Sequence, residues 1–233
     1  MSDIKFRSDI RVELLRHGGS DLDIARAAWV CPPDDGRADG ADKVIAAMMK
    51  GRHGTPFEHG SLAFFVEAPI FVFREWHRHR IGWSYNEVSA RYRVMEPQFY
   101  VPPAGRPCRE PDGFKPMRPV LDDDADLREF VEGRTKRRCE DAWWTYQDML
   151  QMGVAREVAR NVLPVCTYSA MHATCNPRSL MAFLSLRTRD ELAAVKSYPQ
   201  WEIELAARQM EAIFAAFWPL THAAFLSNGR VAP

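Results

Sequence analysis

The chain has 233 residues, 31 basic and 31 acidic side chains, and a hydrophobic fraction of 46%, as expected for a globular protein with one sizeable core. Its zero net charge excludes an overall basic field for nucleic acid, so any anion site must be local. The five cysteines form no CxxC pair, which favours a reducing compartment over a disulfide framework or a structural zinc site. The charged N-terminus has no secretion signal and no apolar run is long enough for a bilayer, so we expect a cytoplasmic protein without a membrane segment.

The first half of the chain alternates strand and helix patterns. In chain order we expect a strand at 11–15, a helix from Ser20 or Asp21 to Trp29, a loop at 31–40, a helix at 41–50 that Gly51 ends, a strand at 61–68, and a helix that begins at Pro69 in PIFVFREWHRH.

The second half is mainly helical. Gly82 is expected to end the preceding helix, VSARYRVM (88–95) to form a strand, and residues 102–125 to form a surface excursion, followed by helices at 126–152, 154–163, 178–187 and 199–218. Together, these strands and helices predict an α+β fold, a helix-rich single domain over residues 1–233 with an antiparallel sheet.

The stretch RHRIGWSYNEVSARY (78–92) concentrates charged and polar side chains beside an apolar run. Arg78 and Arg80 are two residues apart, so on a helix end they point to nearly opposite sides and suit two ligands, or one ligand shared with a neighbouring subunit. On the predicted strand, Ser89 and Arg91 share one face, which is suitable chemistry for a phosphate. By composition alone, a solvated surface turn explains the stretch equally well.

The arrangement of this stretch is specific. RHR, eight residues and a serine, continuing to Ala90-Arg91-Tyr92, resembles the signature of the flavin-dependent thymidylate synthases, which is RHR, seven or eight residues, then serine. Further segments resemble that family in the same order and at similar spacings: HGTPFEH (53–59), REWHRHR (74–80), REVARNVLP (156–164), NPRSLMAFLSLR (176–187) and QWEIE (200–204). The resemblance therefore covers nearly the whole chain.

This resemblance implies a homotetramer of α+β subunits with active sites at the subunit junctions. It implies that the protein binds FAD, dUMP, methylenetetrahydrofolate and NADPH. The implied reaction transfers the methylene group to C5 of dUMP, takes a hydride from reduced flavin, and releases dTMP and tetrahydrofolate. No enzyme cysteine attacks the pyrimidine in that family.

The resemblance also assigns residues. For FAD it implies Thr55 from another subunit, with Glu58 beside it, and Arg78, His79, Arg80, Glu87, Asn176 and Arg178. For dUMP it implies Glu75, Arg78, Glu87, Val88, Ser89, Ala90, Arg91, Arg160 and Arg187. It assigns the catalytic role to Arg187, which would activate the uracil ring. The alternative for Arg187 is a cation satisfied by the last carbonyls of its own helix.

The sequence departs from the family pattern at several positions, and two of these departures concern segment length. Trp83 is the extra residue of the spacer, and we expect a one-residue loop extension rather than a lid against the flavin. Residues 188–199 are longer than in compact members and are expected to form a surface insertion. The histidines show no HExxH motif and no i, i+4 pair with a carboxylate, so no metal is expected.

Two other function classes remain open. A nucleotide- or RNA-binding module is disfavoured by the neutral charge and by the absence of RRM-like or KH-like motifs. A flavoprotein that has lost the synthase activity is disfavoured because Ser89, Arg91 and Arg187 are all present.

Overall fold

A computed structural model describes residues 3–30, 39–111, 119–121 and 124–233. The strands are β1 (Lys5–Arg7), β2 (Arg11–Gly18), β3 (Ser61–Pro69), β4 (Trp83–Glu87), β5 (Gln98–Tyr100) and β6 (Tyr168–Cys175). The helices are α1 (Asp21–Trp29), α2 (Ala41–Lys50), α3 (Ile70–Trp76), α4 (Ala125–Gln151), α5 (Arg156–Ala159), α6 (Pro177–Arg187), α7 (Trp201–Phe217) and α8 (Pro219–Ser227). Two 3-10 helices cover Thr55–Glu58 and Arg160–Val162. Most of the expected loop at 31–40, and part of the expected excursion at 102–125, lie outside the described residues.

The chain forms two compact units. The first unit comprises Met1–Asp9, Glu67–Arg74 and Glu87–Ala170, and the second comprises Ile10–Val66, Glu75–Asn86 and Met171–Pro233. The expectation of a single domain over residues 1–233 stays a prediction.

A four-stranded antiparallel sheet, in the order β2-β3-β6-β4, lies for most of its length in the second unit. The strand β3 alternates in burial, with Leu62, Phe64 and Val66 fully buried, as expected for a strand with one face on a core. Helices α1, α2, α6, α7 and α8 pack in the same unit. The buried Asp21 joins two of them, because its carboxylate accepts from the backbone N–H of Leu220 and of Thr221, both at 2.9 Å. The helix-rich α+β expectation is confirmed.

The first unit is built around the long helix α4. Asp124 caps this helix by accepting a hydrogen bond from the backbone N–H of Leu127 at 3.0 Å. Its buried face contributes Cys139, Trp143 and Tyr146 to a core that also contains Phe99 of β5. Strand β5 pairs in parallel with β1, with Phe6 opposite Phe99.

The predicted strand at 88–95 is wrong. The strand is β4, and the residues after it form turns. Gly82, with a φ of +68°, makes the turn from which β4 starts. Trp83 and Tyr85 then alternate with exposed residues along β4. Aromatic alternation therefore decided the strand, and the polar alternation of VSARYRVM did not.

Two boundaries also differ from expectation around the third helix. Pro69 is the last residue of β3 and not the first turn of a helix. Helix α3 ends at Trp76, so the RHR triplet lies in the turn that follows it and not on a helix end. The predicted helix over 154–163 is limited to α5 and the 3-10 helix Arg160–Val162, and both end before Pro164.

Most of the remaining elements match the sequence-based expectation, and four elements were not predicted. The expected elements β2, α1, α2, α4, α6 and α7 are present within a few residues of their predicted ends. The strands β1, β5 and β6 and the helix α8 had not been expected. Pro219 follows the predicted helix at 199–218 and occupies the first turn of α8, where a missing N–H costs nothing. Within the described part of the chain, no helix is long and apolar enough to cross a bilayer.

Candidate active site

Arg187, the last residue of α6, is the most constrained of the predicted site residues. Its side chain is only 11% exposed. The guanidinium donates from Nη1 to the Glu75 carboxylate at 2.8 Å and from Nη2 to the Glu75 carbonyl at 3.2 Å. Its Nε–H donates to Nε2 of His79 at 3.0 Å. All three contacts go to residues 75 and 79, so its cation is not held by the last carbonyls of α6.

The contact with Arg187 determines the state of His79. Because Nε2 accepts a hydrogen bond, it carries no proton, and the imidazole is neutral. Burial, together with the positive charge of Arg187, lowers the pKa of His79 to about 4. The ring also packs edge-on against Phe183, with centroids 4.8 Å apart. The structure thus brings Glu75, His79 and Arg187 together, as three side chains that fix one another.

The RHR turn presents its two arginines differently from its histidine. Arg78 and Arg80 are exposed, whereas His79 is half-buried. The hydroxyl of Tyr85 donates to the His79 carbonyl at 2.6 Å and holds this turn to β4. Gly82 is required here, since a Cβ at this position would lie 2.1 Å from Oγ of Ser179 in α6. The turn therefore lies directly against the first turn of α6.

The N-terminus of α6 carries two more of the predicted residues. Asn176 caps the helix by accepting from the backbone N–H of Ser179 at 2.8 Å. Arg178 donates to the Glu58 carboxylate at 2.5 Å and to the carbonyl of Pro233 at 2.9 Å. A Cβ at Gly54 would lie 2.3 Å from Cζ of Arg178, so only glycine lets this side chain cross that backbone. Thr55 and Glu58 are exposed beside it.

The segment from Val88 to Arg91 lies in the first unit and is a turn, not a strand. Glu87 ends β4, and the Val88 N–H donates to the Ala170 carbonyl at 2.8 Å. The backbone N–H of Arg91 donates to Oγ of Ser89 at 3.4 Å. Ser89 and Arg91 are therefore neighbours through turn geometry, which replaces the common strand face that the sequence had predicted.

Ala90 and Arg91 have opposite environments. Ala90 is buried in the core of the first unit. The Arg91 guanidinium donates to the Glu157 carboxylate at 2.9 Å, with side chains 52% and 54% exposed. The turn thus fixes its backbone and leaves its charge at the surface.

Arg160 follows α5, the short helix that carries Glu157. It is half-buried. The neighbouring Arg156 donates to the Tyr92 carbonyl at 2.7 Å, so residues 156–160 and 89–92 are attached to one another in the first unit. Sequence reasoning missed Glu157 as the partner of Arg91. The available signal was an acidic residue one helical turn before Arg160 in REVARNVLP.

Comparisons with known proteins identify the family of this chain. Residues 13–220 match the family model described as thymidylate synthase complementing protein. A flavin-dependent thymidylate synthase of Streptomyces coelicolor is 51% identical over 99% of this chain and 96% of the relative. The chain belongs to the flavin-dependent thymidylate synthase family. It is therefore a flavoprotein methyltransferase by family, with FAD as the cofactor.

More distant relatives and solved structures extend the match. A flavin-dependent thymidylate synthase of Tropheryma whipplei strain TW08/27 is 43% identical over 98% of this chain and 97% of the relative. The structure of PolB, a UMP/dUMP methylase of Streptomyces cacaoi bound with 5-Br UMP, has a TM-score of 0.92 and 48% identity, covering 99% of this chain and 100% of that chain. A second structure of PolB, bound with 5-Br dUMP, has the same TM-score at 46% identity.

The extra spacer residue of this family member, Trp83, is not a loop extension. It is the first residue of β4, and its ring stacks on Tyr85 with centroids 5.6 Å apart and an interplanar angle of 12°. The ring centroid of Trp83 also lies 6.4 Å from that of Trp76, in an edge-on contact, and 5.5 Å from that of Phe183. Trp83 therefore packs in the aromatic cluster beside His79.

The residues of the second unit fit the flavin cofactor of the family. FAD carries a diphosphate, which needs cationic or N–H donors. Arg78 and Arg80 are exposed, and the side chain of Arg178 is 41% exposed at the N-terminus of α6. Gly54 lets the backbone approach Arg178, and Gly82 lets it approach Ser179 and Asn176 at the N-terminus of α6, where a Cβ would collide.

Proposed function

We propose that the protein methylates dUMP at C5 to give dTMP. Methylenetetrahydrofolate is the one-carbon donor, NADPH reduces the FAD, and tetrahydrofolate leaves. The family membership supports this reaction, as does the structural likeness to a methylase of UMP and dUMP. The observation that carries the proposal is the guanidinium of Arg187, which is partly buried and is fixed by Glu75 and His79.

A fixed cation is useful for this chemistry because C5 of uracil must become nucleophilic. Arg187 would face N3 and the neighbouring oxygen of the pyrimidine and favour negative charge there, which raises the electron density at C5. Preorganised donors aimed at developing charge commonly contribute a few kcal/mol to a barrier. Glu75 and His79 would serve this role by preventing reorientation of the guanidinium.

The neutral state of His79 contributes to the same end. A protonated imidazole would lose the lone pair that accepts the hydrogen bond from Arg187. It would also carry a second positive charge, with Nε2 of His79 only 3.0 Å from Nε of Arg187. The lowered pKa of about 4 keeps the acceptor available at neutral pH. His79 is in this respect a positioning residue, in addition to its expected contact with FAD.

In the first unit, Ser89, Arg91 and Arg160 would bind the dUMP phosphate and sugar, with Glu87, Val88 and Ala90 supplying the turn. Arg91 can exchange the Glu157 carboxylate for a phosphate, since an exposed ion pair of this kind is worth roughly 0–1 kcal/mol. A charge-assisted contact with a phosphate is worth about 1.5–3 kcal/mol, so the exchange favours the ligand.

Reduced FAD, when bound, supplies the hydride. Arg78, His79, Arg80, Asn176 and Arg178 would hold it, with Glu87 and with Thr55 from a neighbouring subunit. We infer a homotetramer with shared active sites, which the exposure of Arg78, Arg80 and Thr55 on one subunit supports. We also infer that the enzyme acts in the cytoplasm and uses neither nucleic acid nor a metal.

The proposal is tested by incubating the purified protein with FAD, NADPH, dUMP and methylene-labelled folate, followed by chromatography of the nucleotides. Labelled dTMP that requires every component supports it. NADPH oxidation without dTMP would instead identify a flavoprotein that lacks the synthase step. A protein that binds dUMP but retains no flavin would be a nucleotide-binding module.

Methylation of UMP is a second candidate, favoured by the 48% identity with PolB, a methylase of UMP and dUMP. The same assay with UMP in place of dUMP decides this point. A comparable kcat/KM for the two nucleotides supports dual specificity, and a ratio above about a hundred restricts the enzyme to dUMP.

A further inference from the structure

Two cysteines that the proposed reaction does not use lie against each other in the first unit. Cys139 is buried in the middle of α4, and Cys166 is half-buried just before β6. Their Sγ atoms are 3.4 Å apart, and either thiol can donate to the other. They are 27 residues apart in the chain, so the fold and not local sequence brings them together.

The contact is fixed on both sides. Cys139 belongs to the packed core of the first unit, together with Trp143 and Phe99. The Cys166 carbonyl accepts from the backbone N–H of Tyr100 at 2.9 Å, and the following Thr167 N–H donates to the Pro164 carbonyl at 3.0 Å. The sulfurs are therefore held together by anchored backbone.

The other cysteines in the described part of the chain are placed differently. Cys175 is fully buried, and burial raises the pKa of its thiol well above the usual value. The thiol of Cys108 donates to the carbonyl of Arg106 at 3.3 Å. The pair of Cys139 and Cys166 thus has a geometry that these two cysteines do not share.

We propose that Cys139 and Cys166 form an oxidative modification site, a dithiol that a peroxide converts reversibly into a disulfide. Cys166 attacks first. Its thiolate takes one oxygen of the peroxide, the O–O bond breaks, and the second oxygen leaves as hydroxide, or as alkoxide from an organic peroxide. The product is a sulfenic acid on Cys166.

The second step closes the disulfide. The Cys139 sulfur attacks the Cys166 sulfur, the S–O bond breaks, and hydroxide leaves and takes up the proton released by Cys139. With hydrogen peroxide, the two thiols lose two electrons and two protons, and two water molecules form. A disulfide has its sulfurs about 2.05 Å apart, so closing the bond requires the two sulfurs to approach from 3.4 Å.

The order of attack follows from the surroundings of the two thiols. Cys166 is the less buried of the two, so a small peroxide reaches it first. The hydrogen bond that Cys139 can donate stabilises the Cys166 thiolate and lowers the pKa of Cys166. The same hydrogen bond, together with burial, raises the pKa of Cys139. Cys139 is therefore the resolving thiol.

The cross-link would join α4 to the segment that leads into β6. It would close a loop between residues 139 and 166 that is open in the reduced chain. Cross-linking a loop of this kind restricts the unfolded chain, so the oxidised protein should melt several degrees higher than the reduced protein.

The test uses the intact protein with FAD, treated with hydrogen peroxide, blocked with N-ethylmaleimide, digested without reduction and mapped by mass spectrometry. We expect a peptide pair joined through Cys139 and Cys166, two hydrogens lighter than the separate peptides and released by dithiothreitol. Cys166→Ser should abolish the cross-link. Cys139→Ser should leave a sulfenic acid on Cys166 that dimedone traps. Cys108→Ser is the matched control and should form the same cross-link as the parent protein.

The cross-link in the parent protein decides the question, even if a variant fails to fold. Oxidation of Cys166 to sulfinic acid in the parent without the cross-link would overturn the proposal. So would thiols at 139 and 166 that both remain free for alkylation at peroxide doses that oxidise Cys108. A cross-link between Cys166 and a different cysteine would also overturn it.

Discussion

Two arginines expected at the same nucleotide have very different surroundings. Arg187 in the second unit has a side chain that is 11% exposed and held by three hydrogen bonds. Arg91 in the first unit is 52% exposed and pairs with a carboxylate that is also at the surface. A guanidinium fixed in advance is suited to act on developing charge, whereas an exposed one is suited to exchange one anion for another.

Whether each arginine needs a fixed partner depends on the free-energy cost of burying its charge. A guanidinium as buried as that of Arg187 must keep acceptors, because an unpaired buried charge is strongly destabilising. Glu75 and His79 supply them in the resting protein. The pair of Arg91 and Glu157 has no such requirement, because water solvates either partner alone. The comparison therefore separates a positioned group from an exchangeable one, and substitutions can test this separation.

The largest effect is expected at Arg187. Arg187→Ala should fold, assemble and retain FAD, but its kcat for dTMP formation should fall by about 10²–10³, as for loss of one preorganised donor. Arg187→Lys should restore only part of the rate, because lysine keeps the charge without the planar fork. The measurements are steady-state rates, flavin absorbance and light scattering on each variant.

The same variants distinguish catalysis from structure. Glu75 has a side chain that is 45% exposed, so water can solvate its carboxylate once the guanidinium is gone. Loss of Arg187 should therefore cost little stability. If Arg187→Ala unfolds while its surviving fraction keeps normal specific activity, Arg187 is a structural helix end and the comparison fails.

The next effect is expected at Arg91. Arg91→Ala removes a charge-assisted contact worth about 1.5–3 kcal/mol, so dUMP affinity should fall about 10- to 100-fold while FAD occupancy is unchanged. Calorimetry with dUMP and the flavin absorbance of the same sample measure the two quantities. Loss of FAD alone, or equal loss of both ligands, would show that Arg91 does not belong to the nucleotide site.

The local structure around Ser89 and Arg91 differs from what the sequence predicted. Family resemblance placed Ser89 and Arg91 at the nucleotide, but the strand expected at 88–95 is a turn. Alternating polar and apolar residues cannot distinguish a strand from turns that bury a few residues, here Ala90 and Met95. The strand lies instead at β4, where Trp83 and Tyr85 alternate with exposed residues and stack on one face.

The contacts among the site residues could not be predicted from the sequence either, because they join residues that are far apart in the chain. Glu75 and His79 were assigned to ligands, yet both hold Arg187, which lies more than a hundred residues later in the chain. No local pattern encodes a pairing over that separation. The long helices α4 and α7, in contrast, were predicted within two residues, because their signals are local.

A smaller effect concerns His79 and pH. The pKa of His79 is about 4 in the folded protein, against about 6.5 when unfolded. Between these values the unfolded chain binds more protons, so stability should fall as the pH drops from about 6.5 towards 4, and should not change through this group above 6.5. Allowing for the partial exposure of the ring, the loss should be roughly 1–2 kcal/mol.

The matched variant for this effect is His79→Gln, which keeps an acceptor for Arg187 and cannot titrate. Urea unfolding at pH 7.5 and at pH 4.5, at one protein concentration, should show a smaller pH dependence for the variant than for the parent protein. An NMR titration should show the His79 ring neutral at pH 5.5. Equal pH dependence in both proteins would mean that His79 is not held neutral by its surroundings.

The smallest effect is expected at Glu157, and it tests the exchangeable character of Arg91 directly. Glu157→Gln removes the charge that competes with phosphate for the Arg91 guanidinium, while the similar shape of glutamine preserves packing. Because an exposed ion pair is worth roughly 0–1 kcal/mol, dUMP affinity should stay within about fivefold of the parent value and should change towards tighter binding. Stability should be unchanged within about 0.5 kcal/mol.

Calorimetry at low and high salt is the measurement, and the difference in dUMP affinity between the two proteins should shrink as salt rises. If Glu157→Gln instead weakens dUMP binding as much as Arg91→Ala does, Glu157 is a required support for Arg91, and the turn in the first unit is as preorganised as the cluster around Arg187.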